Sequence, residues 1–172
     1  RMKIDKNELS RKIAQIKGIV PKTTTIEALQ GVLLKDGYLI ASNSEITMKV
    51  KLEASEGSYF IIPMKAFDLI KNLPDGEIDI SATDKNVVMI KIGAIKNKYQ
   101  SYPPEEFNFD ITEDPEADGV ELNGKKIMEA ISHVIYAAAD GGANAQMTGI
   151  YFEGTDSGVS LAALDGHVIA VD

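Results

Sequence analysis

The sequence predicts an α+β fold in which one β-α-β-β-β unit recurs three times, with the helices on one face of antiparallel sheets. The first observation is the last third of the chain. There, three short apolar runs (148–152, 159–163 and 168–171) are separated by Gly154-Thr155-Asp156-Ser157-Gly158 and by Asp165-Gly166. Runs of this length, rich in β-branched and aromatic residues and bounded by Gly and Asp, predict an antiparallel meander. The second is what precedes them: a strand at 119–122 and one amphipathic helix over 123–139. The third is that the same order of signals appears twice upstream, giving three units of about 54 residues.

The first unit opens with a strand at 2–4 and a helix cap at Asp5. Leu9, Ile13 and Ile16 then recur at the spacing of one helix face, Gly18 ends the helix and Pro21 follows, so a helix is expected over 6–18. Strands are expected at 28–34, Tyr38–Ser42 and 47–52, the first two joined by Lys35-Asp36-Gly37, a hairpin signal. The second unit begins with a strand at 59–62. Pro63 stands at a helix N-terminus, where its missing N–H costs nothing. Met64, Phe67, Ile70 and Leu73 carry the helix to 73, and Pro74-Asp75-Gly76 stops it. Strands follow at Glu77–Ala82, Val87–Ile92 and 94–100, with Thr83-Asp84-Lys85-Asn86 turning between the first two.

A Pro-rich, acidic segment starts at Tyr102-Pro103-Pro104-Glu105-Glu106-Phe107 and runs to Gly119, carrying Asp110, Glu113, Asp114, Glu116 and Asp118. It reads as an interdomain linker. The expected organisation is one domain of two units over 1–110, a linker over 111–118, and one further unit over 119–172. A single unit bares an apolar sheet edge and helix face, so the chain is expected to be a fragment cut after the first half of its second domain. Met2 behind Arg1 reads as a natural start preceded by one added residue.

Composition narrows the function classes. With no Cys, a disulfide framework, a thiol nucleophile and a Cys-ligated metal are all excluded, which suits a reducing cytoplasm. No apolar run approaches the roughly 18–20 residues of a membrane span. A net charge of −8 argues against a generally basic nucleic-acid binder, but the charge is segregated. The three helices carry +3, +1 and +1, leaving −13 on everything else. If the helices line one surface, that surface attracts phosphates without reading sequence.

Four short pieces, in order on this repeat, resemble one family. Ser42-Asn43-Ser44-Glu45 stands where that family has a T-D-x-E run, and Phe60-Ile61-Ile62-Pro63-Met64-Lys65-Ala66-Phe67 resembles its V-P-A-[KR]-x-F helix start. Tyr102-Pro103-Pro104-Glu105-Glu106-Phe107 resembles its P-x-E-x-F linker entry. Ala163-Leu164-Asp165-Gly166-His167-Val168-Ile169-Ala170 resembles its ATDGHRLA. The family is the bacterial DNA polymerase III β subunit, the sliding clamp, and the resemblance covers the whole chain.

The resemblance implies a DNA-clamp fold of three domains, each built from two such units. It implies a homodimer closed head-to-tail into a ring, with helices inside and sheets outside. Such a ring encircles duplex DNA, tethers the replicative polymerase, catalyses nothing and needs no cofactor. DNA contacts are then expected at Lys6, Arg11, Lys12, Lys65, Lys71, Lys125 and Lys126 on the helices, and at Lys22, Thr23 and Asn144 in loops. The sequence departs from the family at two of these, since Thr23 and Asn144 stand where basic residues are usual. Short peptide motifs of polymerase and clamp-loader subunits are expected on a pocket containing Met147, Leu164, Gly166, His167, Val168 and Ile169. Leu164 replaces a usual Thr and Val168 a usual Arg, so the pocket is apolar but lacks one polar grip.

Two other function classes remain open to the same residues. His133, Asp140, Asp165 and His167 form a conceivable metal or acid–base set, although their spacing matches no zinc-hydrolase motif. A divergent clamp-like scaffold that binds protein partners without supporting replication shares every feature of the repeat. Asp140-Gly141-Gly142-Ala143-Asn144 is glycine-rich but lacks the Lys-Ser/Thr of a phosphate-binding loop.

Overall fold

The computed structural model describes residues 1–53, 57–109, 121–142, 144–155 and 158–172. The chain divides into two compact units, Arg1–Glu113 and Asp114–Asp172. The expected linker over 111–118 lies outside the described residues.

In the first unit, β1 (Met2–Asp5), α1 (Lys6–Ile16), β2 (Gly31–Lys35), β3 (Tyr38–Ser42) and β4 (Thr47–Lys51) make the first repeat. The second is β5 (Tyr59–Pro63), α2 (Phe67–Asn72), β6 (Glu77–Ala82), β7 (Val87–Ile92) and β8 (Ile95–Gln100). The repeats are interleaved. Two antiparallel sheets run in the orders β1-β6-β7-β8 and β4-β3-β2-β5, so the leading strand of each repeat lies in the other's sheet. Met2 stands opposite Ile80, and Lys35 opposite Tyr59.

One core joins both sheets to α1 and α2. It collects Leu9, Ile13 and Ile16 from α1, Phe67 and Ile70 from α2, and the inward residues of the strands, such as Val32, Ile62, Ile78 and Ile90. Strand β7 alternates between half-buried and buried along its length, as a sheet with one core face requires. Strands β2, β3 and β5 are different, because four consecutive residues of each are buried. Their second face carries a smaller cluster of Leu33, Ile40 and Ile61 under Leu29 and Phe107. The Pro-rich stretch therefore does not leave the domain at Tyr102. It straps back across the sheet as far as Phe109, held by the Ser101 hydroxyl donating to the Ile61 carbonyl at 2.6 Å and the Tyr102 hydroxyl donating to Gln30 at 3.1 Å.

Several boundaries differ from the sequence reading. Helix α1 stops at Ile16 with Lys17 as its C-cap, and Asp5 caps its start by accepting from the amides of Asn7 and Glu8. The run 28–34 splits into a 3-10 turn, Glu27–Leu29, and a strand beginning at Gly31. Pro63 is the last residue of β5, opposite Gly31, and not the first residue of a helix. Its extended backbone (φ −69°, ψ 147°) precedes a 3-10 turn, Met64–Ala66, and only then does α2 begin. The Met64 amide donates to the Gln30 carbonyl at 2.9 Å, which keeps Pro63 in the sheet.

The second unit holds α3 (Gly124–Val134), a 3-10 turn (Ile135–Ala137), and the strands β9 (Tyr151–Thr155), β10 (Gly158–Leu164) and β11 (Ile169–Val171). The sheet order is β11-β10-β9. Its core is small: Val134 and Ala137 pack on Leu161, Ala163 and Ala170. Helix α3 is shorter than the expected 123–139 because Asn123 is its cap and the chain tightens into the 3-10 turn at Ile135. The expected run 148–152 is displaced, with a 3-10 turn at Ala145–Thr148 and the strand from Tyr151. Of the expected strand at 119–122, Gly119 and Val120 lie outside the described residues, and Glu121 and Leu122 are not strand. In the first unit a leading strand pairs only with the sheet of another repeat, and this unit has a single sheet among its described residues.

Candidate nucleic-acid interface

The basic residues of α1 are distributed around it rather than gathered on one line. At about 100° per residue, Arg11 points away from the buried stripe of Leu9, Ile13 and Ile16, and Lys12 lies on one flank of that stripe. Lys17 lies on the other flank, with Ser10 and Ala14, where α1 meets α2. Arg11 and Lys17 are exposed and Lys12 is half-buried. Lys6 is the least available cation of the set. Its side chain is only 12% exposed, its Nζ lies 3.8 Å from Asp75, and the carboxylate beside it offsets its charge. Lys65 is exposed on the 3-10 turn before α2, and Lys71 is exposed in the last turn of α2.

The loop after α1 brings Lys22 over the same region, since Lys22, Lys17 and Lys71 line one groove between the two helices. Thr23 is exposed beside Lys22. Lys17 contributes to the helix charge yet is absent from the residues expected to meet DNA. Its signal is positional, because only the packing of α1 on α2 brings it to Lys71.

In the second unit, Lys125 and Lys126 are exposed in the first turn of α3, where Asn123 accepts from the Lys126 amide at 3.1 Å. Asn144 is exposed but engaged: its side-chain oxygen accepts from the Gln146 amide at 3.2 Å and caps the 3-10 turn. Met147 sits on that turn, with its carbonyl accepting from the Ala139 amide at 2.9 Å.

The other five residues expected in the peptide pocket form one hairpin. Leu164 stands opposite Ile169 at the end of β10, and Gly166 takes a φ of +93° between them. A side chain at that φ is strained, so glycine is the natural occupant. Asp165 builds the turn. Its Oδ1 accepts from the amides of His167 and Val168, both at 2.8 Å. Those two donations, Val168's the larger, hold its carboxyl below the usual carboxylate range. Leu164, Val168 and Ile169 are exposed apolar side chains on this hairpin.

The carboxylate that an acid–base set would need in Asp165 is thus committed to the backbone. His133 is engaged separately, its Nδ1 hydrogen-bonded to Asp172. No group of three or more His, Asp or Glu residues able to hold a metal ion occurs among the described residues.

A family model, the N-terminal domain of the DNA polymerase III beta subunit, matches residues 1–111. The chain belongs to the DNA polymerase III beta subunit family. It is 23% identical to the beta sliding clamp of Halalkalibacterium halodurans over 98% of this chain and 48% of that one. It is 26% identical to the beta sliding clamp of Streptomyces coelicolor over 99% and 46%. In three dimensions it superposes on the DNA polymerase III beta subunit of Pseudomonas aeruginosa with a TM-score of 0.82 at 23% identity, covering 98% of this chain and 48% of that one. For the beta subunit from Thermotoga maritima the TM-score is 0.74 at 26% identity, with 99% and 49% covered. The chain therefore spans about half the length of the relatives it matches. Its α+β architecture, with helices over antiparallel sheets, is that of the beta subunits.

Proposed function

We propose that the full-length protein is a sliding clamp, a non-catalytic processivity factor that closes as a homodimer around duplex DNA and tethers the replicative polymerase in the cytoplasm. The observation that carries this reading is the match of residues 1–111 to the beta-subunit N-terminal domain, on a fold in which α1 and α3 are positive and α2 is neutral while the chain as a whole is negative. In this reading residues 1–110 are clamp domain one, 111–118 a linker, and 119–172 the first half of domain two. Arg11, Lys12, Lys22, Lys65, Lys71, Lys125 and Lys126 make weak, exchangeable phosphate contacts, which allow sliding. Thr23 and Asn144 contribute polar contacts without charge, and Lys6 acts mainly through its pairing with Asp75. The Leu164–Ile169 hairpin and Met147 supply one wall of a pocket for short apolar motifs of polymerase and loader subunits. Tethering raises the polymerase's effective concentration at the primer end without any new chemistry.

Primer extension on a singly primed circular template tests the reading, with the full-length protein, its cognate polymerase and its clamp loader. Products should lengthen only when the protein is present, and linearising the template should abolish the gain. Unchanged product length while the loader still binds the protein would leave a clamp-shaped scaffold instead. The uncharged residues at positions 23 and 144 are what favour that second reading.

A further inference from the structure

We propose that the groove between α1 and α2 is a binding site for a small organic anion, an apolar ring system bearing one acidic group. The groove has a volume of about 520 Å³, within the range of small-molecule sites. Its floor is apolar, made by Ile13, Val20, Phe67 and Ile70, all buried side chains of the main core. Its rim is cationic. Lys17 comes from the C-cap of α1, Lys22 from the loop beyond it, and Lys71 from the last turn of α2. None of these three lysines has an ion-pair partner among the described residues, and Asp68 is the one acidic residue on the groove. On a chain of net charge −8, this leaves a local excess of positive charge around an apolar floor.

Two larger occupants fit less well. A duplex backbone brings phosphates to the rim but has no apolar group to fill the floor. An amphipathic helix needs anchors over at least two turns, and α2, at six residues, is only about 9 Å long. A compact anion satisfies both halves of the site: its ring covers the floor and its acid group reaches the lysines. The site has a consequence that rests on the clamp reading. Lys22 and Lys71 belong to the DNA-facing set, so an occupied groove would compete with DNA.

The test uses 8-anilino-1-naphthalenesulfonate as the probe, titrated into the 172-residue chain while backbone amide shifts are followed by NMR. Saturable shifts are expected at Ala14, Lys17, Lys22, Phe67 and Lys71. N-phenyl-1-naphthylamine, the same rings without the sulfonate, should bind at least tenfold more weakly, as should the sulfonate probe to a K17Q/K71Q chain (roughly a tenfold loss for two removed charges). Ala14→Trp, which places an indole over the groove from an exposed helix position, should abolish the shifts. Shifts confined to the exposed apolar residues of the second unit, such as Tyr151, Phe152 and Ile169, would overturn the proposal, as would equal binding of the neutral analogue. Binding at the groove is independent of processivity. A full-length protein that binds the probe here but fails in primer extension would therefore refute the clamp and keep the site.

Discussion

Gly31 shows how a single residue holds two repeats together. A Cβ at this position would lie 2.6 Å from both the Ile61 side chain and the Ile62 carbonyl, closer than packed atoms approach. The close approach lets the start of β2 meet the end of β5, the leading strand of the next repeat. Gly31→Ala should therefore cost about 1–3 kcal/mol through overpacking, read as a lower urea midpoint with an unchanged slope. Asp165 is a residue-scale device of another kind. Its carboxyl is lowered by the amides of Val168 and His167, so its hold on the turn is complete above the unfolded carboxyl value of about 4 and lost as pH falls through the lower folded value. Amide protection at His167 and Val168, relative to the intrinsic exchange rate, should fall below that point. In Asp165→Ala that protection should be low at every pH, with the first unit unaffected.

At the scale of elements, the strap from Ser101 to Phe109 changes what the sheet β4-β3-β2-β5 is. Phe107 is 4% exposed, and it closes the outer cluster over Leu33, Ile40 and Ile61. Phe107→Ala should cost about 3–5 kcal/mol and bring the strap's amides into rapid exchange. In the first unit the order of strands and helices is legible in the sequence because each strand run is short and each helix stripe is spaced at 3.6 residues. The strap is not, since prolines and acidic residues read as a linker. A signal for it does exist in the uninterrupted apolar runs of β2, β3 and β5, which imply burial on both faces. Pro63 misleads for a related reason. Proline suits a first helical turn, but it equally suits an edge strand, and β5 is at the edge of its sheet. For the candidate site, the charges on the helices are legible and their grouping is not. Lys17 meets Lys22 and Lys71 only through the packing of α1 on α2.

For the whole molecule, the clamp reading joined to the charge segregation predicts how the full-length protein behaves on DNA. A ring closed on circular duplex should stay on it as salt rises, whereas association with linear duplex should weaken with salt. Neutralising Arg11 or Lys65 should reduce the slope of that dependence by about one for each phosphate left without its cation. Lys6→Gln should leave the slope nearly unchanged, because Asp75 already offsets that charge. The interleaved sheets make a second molecular prediction. Because each repeat carries a strand of the other, the first unit should unfold in one transition that far-UV circular dichroism and the amides of both sheets report at the same midpoint.

The pairing of Met2 with Ile80 also fixes an order of events at the ribosome. Strand β1 has no sheet to join until β6 has been translated. At ~5–20 residues per second, the wait is about 4–16 s. During it Met2, Ile4 and the inner face of α1 have no finished core to enter. A nascent chain arrested before Glu77 should lose β1 to added protease, while one arrested well beyond β8 should keep it. Strand β1 thus passes through a window in which chaperones, proteases or a neighbouring nascent chain on the same message compete for a strand the protein has already made and cannot yet use.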